Sequence, residues 1–311
     1  MTDKSDHVMK AMSPLGLYPL AHQNAIRDAS SEARSAISAL KRPELDKQRD
    51  EAEQEAARNL DKEAIAAVQE TIGAVRALSE SKTNLALQAI ESATGKIDIV
   101  LARNPEAALI PIDLEVLIID NVPEDWDESQ IAKVTDVASL AIDELDFPTA
   151  RSMLRRLMSE IRVRTYQLPL ATYPVALKEA ARLLADQKTK DAHAVLLTAL
   201  STLVMMDRTI SIPLLLAREH IDQAQAAAAT DKGRAQQLLE KAKKELGRSR
   251  SLGYAGYDPE YLILKDEITK SAKQLKAGEE TGPGFGRLKE KFAALLKRQS
   301  EPSKETRKNA A

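Results

Sequence analysis

The feature that most constrains this chain is one apolar spacing used four times. An alanine is followed by apolar residues 3, 4, 7 and 11 positions later at Ala86/Ala89/Ile90/Ala93/Ile97 and Ala150/Met153/Leu154/Leu157/Ile161. It recurs at Ala192/Val195/Leu196/Ala199/Leu203 and Ala235/Leu238/Leu239/Ala242/Leu246. These offsets fall on one side of a 3.6-residue helix, so each segment presents a single apolar stripe. Nine and eight residues before each anchor stand Ala77/Leu78, Ala141/Ile142, Leu183/Leu184 and Ala226/Ala227. The polar stretches SESKTN, DFPT, DQKTKD and TDKGR separate those pairs from the anchors. Each unit therefore reads as a helical hairpin with a short connection. One hairpin buries little surface, so the units must stack on each other. Alanines on the stripe allow close approach of the helix axes.

The anchors are 64, 42 and 43 residues apart, and the surplus in the first gap falls on IPIDLEVLIID. There Ile112, Leu114, Val116 and Ile118 alternate with Asp113, Glu115 and Leu117. That is a strand with one buried face. It needs a pairing partner, and IRVRTYQLPL at 161–170 supplies one, setting Asp113 and Glu115 near Arg162 and Arg164. Between the two strands a helix begins near residue 129. Asp127 is its N-cap, Gln130 closes a capping box, and Trp126 with Ile131 forms a hydrophobic staple. The fold class expected is mainly α: four stacked helical hairpins with a small two-stranded β insert, near 110–120 and 161–167.

This places a helical-hairpin domain at 64–270. Before it, residues 1–63 form a charged extension, expected as exposed helices and a surface for another copy. After it, 271–311 read as a linker around GPGF, a short amphipathic helix and a disordered basic tail. From Arg287 onward there are eight basic and three acidic residues.

The blocks ATGKIDIVLARNPEAALIPIDLEV, SEIRVRTYQLPLATYPVALKEAARLL and ALSTLVMMDRTISIPLLLAREHIDQA, with LGY at 252–254, resemble the YfdX family of bacterial proteins over about residues 65–265. The resemblance implies a mainly helical, self-associating protein linked to stress or acid responses. It implies no assigned enzymatic activity and brings no catalytic residues.

The residues themselves carry no reaction signature. With no cysteine, disulfides, thiolate nucleophiles and cysteine-based metal sites are excluded. His7, His22, His193 and His220 show no paired-ligand spacing; His193 reads as a surface residue, and His220 could bind a metal or sense pH but reads first as structural. The cluster PEDWDES is too irregular for a calcium loop, and GPGF lacks the Lys-Ser/Thr of a phosphate loop. No catalytic residue, cofactor or metal site is expected.

A net charge of −2 gives no call for nucleic acid or an anionic membrane. No apolar run is long enough for a span, and Pro14 and Pro19 interrupt the N-terminus as a signal peptide. The expectation is a cytoplasmic homo-oligomer.

The best candidate surface is YQLPLATYP. There Tyr166 and Tyr173 stand beside Arg162 and Arg164 in a proline-stiffened corner that can hold an anion or a peptide, or serve as a packed connector. Two functions follow. One is a non-enzymatic protective protein holding exposed apolar segments of stressed clients. The alternative is a small-molecule or pH sensor using the corner at 162–174.

Overall fold

The computed structural model describes residues 43–254, 258–278 and 282–300. Its helices and strands run α1 (Pro43–Ala57), α2 (Lys62–Ser79), α3 (Thr83–Arg103), β1 (Leu109–Asp120), α4 (Glu128–Asp143), α5 (Phe147–Arg156) and β2 (Ser159–Pro169). They continue α6 (Tyr173–Ala185), α7 (Thr189–Ser201), β3 (Val204–Ser211), α8 (Ile212–Ala227), α9 (Lys232–Ser251), α10 (Pro259–Ala277) and α11 (Gly282–Ser300). All four expected hairpins are present: α2–α3, α4–α5, α6–α7 and α8–α9. A strand follows each of the first three.

The first three hairpins turn in one way. Ser81, Leu145 and Gln187, each five residues before its anchor, adopt a left-handed φ of 58–61°. The next N–H then reaches back five residues: Lys82 to the Ala77 carbonyl, Asp146 to Ala141 and Lys188 to Leu183, all at 2.8 Å. This is the Schellman closure, usually made with glycine and here made with serine, leucine and glutamine. In the fourth hairpin Asp231 bonds Ala227 instead, and no residue of that turn has a positive φ.

The sheet has three strands, not two. β1 pairs with β2 and β2 with β3, all antiparallel. The third stripe keeps its helical spacing through Leu203, but α7 stops at Ser201 and the chain extends into VMMDRTIS. The second stripe likewise leaves the helix, with Ile161 lying in β2. Glu115 lies opposite Arg164 as expected, whereas Asp113 faces Tyr166 and Arg162 faces Leu117. A bulge at Pro111/Asp113 makes the shift, and both Ile110 and Ile112 turn into the helical core.

Antiparallel order sorts the hairpins. Connections β1→β2 and β2→β3 lie at opposite ends of the sheet, so the first and third hairpins share one end and the second and fourth the other. At one end α2 packs on α7 and α3 on α6, closing a core of Ala, Leu, Ile and Val with Tyr173 at its centre. At the other end the fourth hairpin packs on α10–α11, burying Tyr261, Phe285, Phe292 and Leu295. The capping box at Asp127/Gln130 forms, and Trp126 packs with Ile131, Val122 and Leu157.

Two expectations about the extensions change. The described part of the charged N-terminal extension, α1, lies across one face of the sheet. Its Leu45, Ala52 and Ala56 recur at i, i+7 and i+11, and they cover Ile161 and Val163. The GPGF segment is the first turn of α11. Pro283 suits a helix start, and Gly284 lets α11 approach α10, since a Cβ there would stand 3.2 Å from the Ser271 hydroxyl. The expected disordered tail lies outside the described residues.

Candidate functional site

Strand alternation divides the sheet into two faces. Leu114, Val116, Ile161, Val163 and Ile210 lie under α1. The opposite face carries Asp113 and Glu115 from β1, Glu160, Arg162, Arg164 and Tyr166 from β2, and Met205 and Asp207 from β3. Met205 and Asp207 are open to solvent, and the two arginines are partly covered.

Of the four residues singled out in the sequence, three share this face. Arg164 holds Asp207 through two bonds, Nε to Oδ1 at 2.8 Å and Nη2 to Oδ2 at 3.0 Å, with Glu115 at 3.9 Å. Arg162 donates twice to Glu160 Oε1, at 2.9 and 2.6 Å. Glu160 also accepts from the Tyr254 hydroxyl at 2.8 Å, while that hydroxyl oxygen accepts the Ser159 N–H at 2.9 Å. Protein carboxylates thus already meet both guanidinium groups, and Asp207 raises the Arg164 pKa further. Four carboxylates face two arginines, which disfavours the anion-holding use of this corner. Asp113 is fully buried at the bulge, and that burial, aided by neighbouring Glu115, pushes its carboxyl up to about 6. Tyr166 is raised by burial as well.

Tyr173 is not on this face. It is fully buried between the first and third hairpins, donating to Thr71 Oγ1 at 2.8 Å, and burial raises its pKa. Tyr173 lines a different feature, an apolar groove of about 290 Å³ between α6 and α7. Ala176, Val195 and Ala199 line it, and Thr172, Thr198 and Thr202 contribute the polar edge. Thr202, the residue that ends α7, closes one side of it. Sequence reasoning missed the groove, because its walls are ordinary helix positions that form one surface only when α6 and α7 are set side by side.

The histidines divide similarly. His193 Nε2 lies 3.1 Å from Ser79 Oγ, linking the third hairpin to the first. His220 is half-buried in α8 with its Nδ1 out of hydrogen-bond reach, and burial with nearby Lys241 holds its pKa below the usual imidazole value. Among the described residues no group of three or more His, Asp or Glu could hold a metal, and no helix is long and apolar enough to cross a membrane.

These features define a mainly α-helical hairpin protein built around a three-stranded antiparallel sheet. Residues 67–209 match the family model of YfdX protein, so the resemblance seen in the sequence holds from α2 to β3. The fourth hairpin and the LGY segment lie beyond that match. Among solved structures, one of YfdX from Salmonella Typhi is 14% identical, covering 49% of this chain and 93% of its own, with a TM-score of 0.34. No curated protein matches the chain.

Proposed function

We propose that this protein is a non-enzymatic binding protein that holds exposed apolar segments of other polypeptides in the α6–α7 groove. The observation that carries this reading is the groove itself: an open slot of about 290 Å³ with apolar walls and only threonine hydroxyls at its edge. Such a slot accepts side chains by burial rather than by directional bonds, which suits varied sequences. The YfdX region fits a protective role, since the resemblance implies a stress context.

The test is light scattering of a heat-labile client with and without the full chain. Suppression near one-to-one is expected. Thr198→Trp, which fills the slot from an exposed position, should remove most of it while far-UV circular dichroism stays unchanged. Equal suppression by wild type and Thr198→Trp refutes the groove, and no suppression by either refutes the function. A second reading, a small apolar ligand in the same slot, has one observation in its favour: the volume is near the lower end of ordinary ligand sites, roughly 300–1,000 Å³. A saturable rise in melting temperature with one ligand class, lost in Thr198→Trp, would select it.

A further inference from the structure

The four hairpins carry equivalent positions, and they differ in what covers them. Four residues past the anchor, Ile90, Leu196 and Leu239 are 0% exposed, whereas Leu154 of the second hairpin is 47% exposed. Eight residues before the anchor, Leu78 and Leu184 are 6% exposed, whereas Ile142 is 45% exposed. Phe147, at 51%, lies seven residues before Leu154 on the same side of α5. In the first and third hairpins this stripe is buried by the other hairpin; in the fourth it is buried by α10–α11. The second hairpin touches the rest of the chain chiefly at its base, through Ile131 and Leu157 and through α9. Its stripe is apolar like its sisters', but Ile142, Phe147 and Leu154 stand open on it and, among the described residues, no hairpin packs there.

Both hairpin pairs within the chain use one arrangement: the first helix of one packs against the second helix of the other, α2 on α7 and α3 on α6, α8 on α11 and α9 on α10. Applied to the second hairpin, that arrangement sets α4 against the α5 of its partner. α4 carries Asp136 and Asp143 against a single Lys133, its Glu128 lying instead against Gly247 of α9, while α5 carries Arg151 and Arg155 and no acid, its Arg156 lying over the Trp126 ring. An acidic helix would meet a basic one on both sides of a two-fold axis, as an isologous contact requires.

We propose that the α4–α5 hairpin is a self-association surface whose occupant is the α4–α5 hairpin of a second copy, the two forming a four-helix bundle with Ile142, Phe147 and Leu154 at its centre. The surface is separate from the α6–α7 groove, so it stands or falls independently of the client-holding reading.

Sedimentation velocity of the full chain across a concentration series tests it. The wild type should dimerise, and Ile142→Glu with Leu154→Glu should weaken the dimer by about a hundredfold or more. A second variant leaves the stripe intact and so guards against a folding defect in the first. Arg151→Glu, an exposed change, should weaken association about tenfold, while Lys190→Glu on the third hairpin should not. A monomeric wild type at the highest soluble concentration overturns the proposal. So does association that is unchanged in the double variant, or equally changed by Arg151→Glu and Lys190→Glu.

Discussion

Replacing Asp113 with asparagine should make the protein more stable at neutral pH, and the gain should fade in acid. Asp113 is fully buried at the β1 bulge, with its carboxylate accepting the Leu114 N–H at 2.9 Å. Burial raises its pKa from 3.8 to about 6. A shift of roughly 2 units corresponds to about 3 kcal/mol between protonated and ionised forms, an order-of-magnitude figure. The folded state holds the proton more tightly than the unfolded chain does. Its contribution is therefore fully present below about pH 4 and is lost as pH rises through about 6. Above that, the folded protein carries a buried carboxylate at a cost near 3 kcal/mol.

Asparagine keeps the acceptor for Leu114 and cannot ionise. Urea unfolding of Asp113→Asn and wild type at pH 8, 7, 6, 5 and 4 reads the difference. The variant should be more stable by up to about 3 kcal/mol at pH 8, with the gap closing through pH 6 and near zero by pH 4. A gap that does not change with pH, or a variant destabilised at pH 8, would refute the argument from burial.

Two further predictions rest on the same kind of reasoning. Gln187→Gly should stabilise by about 0.5–1 kcal/mol, since the left-handed backbone costs a side-chain-bearing residue about 1–2 kcal/mol and the larger entropy of the unfolded glycine chain offsets part of that. Thr230→Gly, at the equivalent place in the fourth turn where φ is not positive, should destabilise; thermal melts of both variants decide. Arg248 is buried in α9, bonded at 2.9 Å to Glu245 and to the Pro123 carbonyl. Glu245→Ala should cost about 3–5 kcal/mol by leaving that charge uncompensated, whereas a paired replacement of both residues by apolar ones should cost much less; denaturant midpoints distinguish the two.

The helical hairpins were legible because an amphipathic helix must repeat its buried side at 3.6 residues, and small alanines fix where two helices touch. The cap at Asp127 was legible for a similarly local reason: its partners Gln130 and Ile131 lie within one turn. β3 was not legible. Its eight residues alternate weakly, with Met205 and Asp207 on the open face, and Leu203 sits at an offset that fits a continued helix as well as a strand. The turn residues were hidden too, since nothing in serine, leucine or glutamine announces a left-handed φ. At the candidate site, the sequence placed Arg162, Arg164 and Tyr166 on one side of a strand because alternation demands it. It could not show that Asp207 would occupy Arg164, because Asp207 comes from β3. Nor could it show that Tyr173 turns inward to Thr71, a residue 102 positions away.

By itself, then, the sequence determined the local elements: four hairpins, two of the three strands, the cap at Asp127, and the absence of thiol chemistry. Those follow from spacing and composition, which act over one or two turns of chain. Only the tertiary structure decided which stripe meets which. Antiparallel strand order sends alternate hairpins to opposite ends of the sheet, so the first finds the third and the fourth finds α10–α11. The second is left with Ile142, Phe147 and Leu154 open and, among the described residues, no hairpin against them. Pairing of equivalent faces is a matter of topology, and no periodicity within a single hairpin encodes it.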